Sequence, residues 1–144
     1  MVQRSRRAVV SMHTSARNRA IVWGCISLAL LVNIAGYLWN LYERFLWFDE
    51  VLHAFTTFAL TLPLALLLFG IVLTGSQSRP ILFVLTVAGL GIAIGTLWEI
   101  AEWSYDQVVA GNIIKGKTDT MIDLILDAIG AGMAGILSIG MVQE

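Results

Sequence analysis

Apolar residues come in four long blocks along this chain, separated by short polar breaks. The blocks lie at roughly 20–41, 50–73, 81–103 and 120–142. Each reaches the about 20 residues that an α-helix needs to cross a bilayer. The pattern predicts an all-α integral membrane four-helix bundle with antiparallel spans. The connections near 42–49 and 74–80 are short enough to make hairpins. The connection 104–118 is longer, contains Gly111, Asn112 and Gly116, and predicts a small cap outside the membrane. A basic tail at 1–19 precedes one transmembrane domain at 20–144. The first block is too long for the apolar core of a signal peptide and no small-residue cleavage site follows it, so it is expected to be retained.

The polar residues inside the blocks keep helical register. Asp49, His53, Thr57 and Thr61 are spaced by four and share one side of the second span. In the third span, Glu99, Glu102 and Asp106 fall within about 60° of one another. In the fourth, Asp119, Asp123 and Asp127 drift across about 80°. Two stripes then continue in small residues: Gly95, Gly91 and Ala88 below Glu99, and Ala131 and Gly135 below Asp127. Small residues let membrane helices approach closely. Spans three and four are therefore expected to touch along these faces, with their acids converging above the contact.

Composition confirms the class. The chain is 58% hydrophobic and 13% charged, with mean hydropathy +0.80; a soluble domain carries about 25% charged residues. A net charge of −1 argues against a nucleic-acid partner, which needs a basic face. Cys25 is the single cysteine, so no internal disulfide forms.

The charges also orient the spans. Arg4, Arg6, Arg7, Arg17, Arg19 and Arg79 share one side, and Arg44, Lys115 and Lys117 the other. The positive-inside rule then puts both termini in the cytoplasm. Trp39, Trp47, Trp98 and Trp103 fall at the outer ends of their spans, as an interfacial aromatic belt does. Glu43, Asp49, Glu50, Glu99, Glu102, Asp106, Asp119, Asp123 and Asp127, nine of the ten acids, meet at that outer end. Two carboxylates about 6 Å apart repel by roughly 3 kcal/mol at an effective dielectric of 20. Such a group must share protons, spread into water or hold cations.

The acids divide by depth. Glu43, Glu50 and Asp106 lie near span ends and are expected to be solvated. Asp119 sits where an N-cap would, and Thr120 with Asp123 resembles a capping box. Asp127 lies about 12 Å further along the helix than Asp119, too deep for a cap, and intramembrane acids mark sites or pathways. Thr57 and Thr61 are expected to bond their own helix carbonyls, helping to satisfy the Ala59 carbonyl that Pro63 frees. Asn33, Tyr37 and Asn40 make a stripe on the first span that reads as interhelical glue.

Three stretches, "DEVLHAF" (49–55), "GTLWEIAEW" (95–103) and "DTMIDLILDAIGAGMAG" (119–135), resemble the YjdF-like family of small bacterial inner-membrane proteins. More distantly the same order is similar to VanZ-like proteins, a family associated with teicoplanin resistance. Asp127 stands where those proteins have Asn, and Glu50 where many have Lys. The resemblance implies a multi-pass protein of the bacterial inner membrane and no particular activity.

Three functions fit the residues. In the first, Asp49, His53, Glu99, Glu102, Asp123 and Asp127 hold a divalent cation, with Mg²⁺ or Mn²⁺ suited best to mixed oxygen and nitrogen ligands and Zn²⁺ or iron as alternatives. The cation would bind or help hydrolyse the phosphate of a membrane lipid or a lipid-linked envelope precursor. His53 or Glu99 would be the general base, and Arg44, Lys115 and Lys117 would grip anionic oxygens. In the second, Asp127, Glu99 and His53 relay protons or cations. In the third, the acids only fix assembly or bind a cationic partner. A homodimer is compatible with all three.

Overall fold

The computed structural model describes residues 16–72, 79–109 and 113–142. Every element among them is a helix: α1 (Ala16–Leu38), α2 (Leu41–Arg44), α3 (Leu46–Val72), α4 (Pro80–Val109) and α5 (Lys117–Val142). Four of the five are long and apolar enough to cross a membrane. The chain is thus an all-helical protein with four candidate spans.

The helix limits differ from the hydropathy blocks at several ends. Among the described residues, α1 begins at Ala16 and takes Arg17 and Arg19 out of the expected tail; residues 1–15 lie outside the described residues. The third span runs on to Val109 rather than stopping at 103. Its 30 residues make about 45 Å of helix, against a hydrocarbon core about 30 Å thick, so its outer turns stand beyond the apolar slab. Polar residues such as Glu102 and Asp106 hid this continuation from a reading based on apolarity.

The expected hairpin at 42–49 is more structured than a loop. Asn40 adopts a left-handed conformation, φ 53°, which Asn tolerates better than most residues. The reversal lets α2 form and puts Tyr42 against Phe48, ring edge to face at 5.0 Å. The Tyr42 hydroxyl donates to Asn33 Oδ1 (2.9 Å), and Asn33 Nδ2 reaches Thr56 Oγ1 (3.3 Å). The expected glue on α1 is therefore real at Asn33, with α3 as its partner. Burial, then Tyr37 and Asp49 beside it, push the Tyr42 phenol above its ordinary range, so it remains a neutral donor.

Packing is densest among α3, α4 and α5. The buried positions of α4 are Phe83, Val87, Gly91, Gly95 and Glu99, a strict four-residue stripe. The expected contact of spans three and four is present: a Cβ on Gly91 would overlap Ala131, and one on Gly95 would overlap the Asp127 carboxylate. The closest approach on the other side is α5 to α3, where a Cβ on Gly130 would strike the carbonyl of Ala54. Below, Leu62 and Leu66 of α3 pack with Ala134 and Met141 of α5 and Val22 of α1. Phe83 and Val87 of α4 pack with Ala65 of α3.

Helix α1 is the outlier. It packs on α3 and α2, and Asn18 Nδ2 donates to the Met141 carbonyl (2.8 Å), which ties its first turn to the last turn of α5. The first and last described turns thus share one end of the bundle. Between α1 and α4 lies a cleft of about 650 Å³, floored by α3.

Candidate functional site: a buried imidazole among carboxylates

The four-residue stripe of α3 points inward because α3 is the central helix of the bundle. Its His53 is buried, and so are Glu99 from α4 and Asp123 and Asp127 from α5, at 5%, 3% and 1% exposure. No burial this complete is open to a solvated surface acid. The antiparallel course brings three helices to one level with their acids facing inward.

His53 stands at the centre. Its Nε2 lies 3.7 Å from Glu99 Oε1 and 3.8 Å from Asp49 Oδ1. Its Nδ1 faces Asp127 Oδ1 at 3.4 Å. Thr57, one turn along α3, donates to that same Asp127 oxygen at 2.5 Å. The hydroxyl, expected to bond its own helix, bonds across to α5 instead, because the Asp127 carboxyl group offers it an acceptor in a buried place. Thr61, also expected to bond a helix carbonyl, has no hydrogen-bond partner for its Oγ1 among the described residues.

One ligand atom from each of His53, Glu99 and Asp123 lies within 4.8 Å of the others. Ligands about 2.0–2.3 Å from one cation are at most about 4.6 Å apart, so side-chain shifts of tenths of an ångström would close the group. Glu99 Oε1 and Asp123 Oδ1 have no hydrogen-bond partner among the described residues. A buried polar atom left unmatched costs about 1–3 kcal/mol, more when charged. The arrangement can hold a cation, which would supply the missing partner. Asp49, Asp119 and Asp123 form a second such group nearer the surface.

The remaining candidates are dispersed around this centre. Glu102 lines the α1–α4 cleft and accepts from Trp98 Nε1 at 2.7 Å. Lys115 Nζ pairs with Asp49 Oδ2 at 3.3 Å and lies at the polar end of that cleft. Lys117 lines a smaller cleft of about 410 Å³ together with Glu99 and Thr120. Arg44 is exposed at the end of α2 and lines neither cleft.

Two acids have roles that their spacing did not reveal. Asp106 accepts from the backbone N–H groups of Ile113 and Ile114, at 3.0 and 2.9 Å. It is a staple for the segment carrying Lys115, not the solvated acid expected at a span end. Asp119 accepts from the Lys115 N–H at 3.1 Å, so it closes the same turn. The capping box expected of Thr120 and Asp123 is absent: α5 starts at Lys117, which puts Thr120 inside the helix, and Asp123 is buried in the centre.

Comparison with known proteins agrees with this architecture. The family described as "Predicted membrane protein (DUF2238)" matches residues 7–144. A protein of Thermotoga maritima described as uncharacterized is 36% identical over 112 residues, covering 72% of this chain and 54% of the relative. The chain thus spans about half the length of that curated relative. No solved structure matches, and the matches lend no support to the more distant VanZ-like resemblance.

Proposed function

The chain belongs to the DUF2238 family of predicted membrane proteins, and on that footing we propose that it binds a divalent cation on His53, Glu99 and Asp123 and uses it to hold the phosphate of a membrane lipid or lipid-linked envelope precursor. The observation that carries the reading is the convergence of three buried residues from three helices, two of which, Glu99 and Asp123, each hold a buried carboxylate oxygen without a hydrogen-bond partner among the described residues.

The surroundings of His53 support it. A metal-bound histidine donates its second ring N–H to a carboxylate, which fixes the ring and raises its basicity. Here Nδ1 faces Asp127, and Asp127 is itself held by Thr57. Nε2 is left turned toward Glu99 and Asp49. In this reading Asp127 positions the imidazole rather than ligating the ion, and Asp49 is a further ligand when Lys115 releases it. Mixed oxygen and imidazole ligands suit Mn²⁺ or Mg²⁺, with Zn²⁺ and iron as competitors.

A bound cation would polarise a phosphoryl oxygen or a water. His53, engaged through both nitrogens, then has no free lone pair for a base, so Glu99 is the group left to take a proton from water. Lys117, which lines the smaller cleft with Glu99, can meet an anionic oxygen there. Arg17, Arg19 and Arg79 at the opposite end support a cytoplasmic placement of both termini, in a bacterial inner membrane, with the cation in the outer half of the bilayer. A relay across the membrane has less support: away from this centre the buried polar side chains among the described residues are Thr61, Ser138 and Asn18, none ionisable.

The test is titration of the purified chain with Mn²⁺ in detergent, followed by phosphate release from a lipid phosphate. The reading expects saturable binding of one ion, abolished in both His53→Ala and Asp123→Ala, and any turnover to depend on Glu99. Equal Mn²⁺ binding by the wild-type and both variants would overturn it.

A further inference from the structure

The cleft between α1 and α4 is not needed to build the cation centre, yet it runs into it. Asp49, His53, Glu102 and Lys115 line one end; Ile26, Leu30, Leu60 and Ile94 line the other. Ile26 to Tyr37 on α1 covers about 16 Å of helix, and Asp49 to Leu60 on α3 covers the same length in the opposite direction. The polar and apolar ends therefore match on both walls. The apolar part lies toward the middle of the bundle, the polar part at the acidic end.

Resting on the cation reading above, we propose that this cleft takes the hydrocarbon chain of a single-chain amphiphile whose phosphate head meets the cation beside His53. A second copy of the protein would present an apolar helix and leave Asp49, Glu102 and His53 facing it, so the polarity gradient favours an amphiphile. The volume of about 650 Å³ falls within the about 300–1,000 Å³ of small-molecule sites. The cleft is one groove between α1 and α4, about 16 Å long on each wall, and so seats one chain along α3. Helix α1, held to α3 by the Asn33–Thr56 contact and to α2 by the Tyr42–Asn33 contact, is the wall that sets the width. Without a cation the head end is acidic and would repel a phosphate.

The test uses the full chain in phosphatidylcholine nanodiscs with an alkyl phosphate that carries a photoreactive diazirine at its chain end. Labelled positions are mapped by peptide mass spectrometry, with Mn²⁺ binding measured in parallel. The expected result is Mn²⁺-dependent labelling at Leu30, Ile34 and Ile94, competed by unlabelled alkyl phosphate and not by two-chain phosphatidic acid. Ile94→Trp and Leu30→Trp, which fill the cleft away from the ligands, should each cut labelling about tenfold and leave Mn²⁺ affinity unchanged. Labelling spread over the outer faces of α4 and α5, or unmoved by both tryptophans, would overturn the cleft inference while the cation reading stands. Equal competition by phosphatidic acid would overturn the single-chain assignment, and metal-free binding of dodecyltrimethylammonium in place of the phosphate would overturn the anionic head. Loss of all Mn²⁺ binding would overturn both readings.

Discussion

Thr57 of α3 donates a hydrogen bond to Asp127 of α5, and the accepting oxygen is the one that faces His53 Nδ1 at 3.4 Å. A hydroxyl, a carboxylate and an imidazole from two helices are thus joined at 1%-exposed Asp127. The two helices approach closely enough for this because Gly130 meets the backbone of Ala54.

Removing the donor should be felt twice. Thr57→Val is expected to destabilise the protein by about 1–3 kcal/mol, because Asp127 loses a partner in a buried place. It should also weaken cation binding about 10–100-fold, since the group that orients the metal-bound imidazole is disturbed. Thr57→Ser should restore most of both. Thermal unfolding in detergent and Mn²⁺ titration read the two effects separately.

The α4–α5 seam gives a prediction of position. Gly95→Ala drives a methyl into the Asp127 carboxylate and should cost about 1–3 kcal/mol, as overpacking does, with a parallel loss of cation affinity. Gly89→Ala on the same helix meets nothing within 4 Å and should leave cation affinity unchanged and thermal stability equal or higher, by up to about 1 kcal/mol. Similar losses in both would mean that helix flexibility, not close approach, explains the glycines.

Lys115 pairs with Asp49 at 3.3 Å, and in the proposed reading it would compete with the cation for that carboxylate. Lys115→Met should therefore tighten Mn²⁺ binding about two- to fivefold, the range of an exposed ion pair. Isothermal titration measures it. Weaker binding in this variant would show that Lys115 assists the ion rather than opposing it.

Asp106 is predicted to act on the segment, not on the ion. Asp106→Ala removes two backbone hydrogen bonds to a charged acceptor, each worth about 1.5–3 kcal/mol. Amide exchange at Ile113 and Ile114 should accelerate by about tenfold or more. Exchange at Gly130 and Ala131, deep in α5, should stay as slow as in the wild-type.

How much of this the chain disclosed by itself follows from what periodicity can carry. Apolar blocks long enough to span a bilayer gave the four helices, and an antiparallel course required the acids to meet at one end. Four-residue spacing put His53, Glu99, Asp123 and Asp127 on inward faces. Spacing defines an angle on one helix; it does not say which neighbour fills it. Thr57 therefore read as a donor to its own helix, though its acceptor lies 70 positions away. Asp106 read as solvated because its partners are backbone N–H groups, which leave no side-chain pattern. The separation of α1 from α4 was equally hidden, since α1 is as apolar as the helices that do pack tightly.

The central claim is that an ion sits against the His53 ring. Mn²⁺ bound to the protein, observed by pulsed electron paramagnetic resonance, tests it most directly. The account predicts a nitrogen coupling from one imidazole that disappears in His53→Gln and persists in Glu43→Gln, a change at an acid outside both ligand groups. A manganese signal with no nitrogen coupling in the wild-type protein would contradict it.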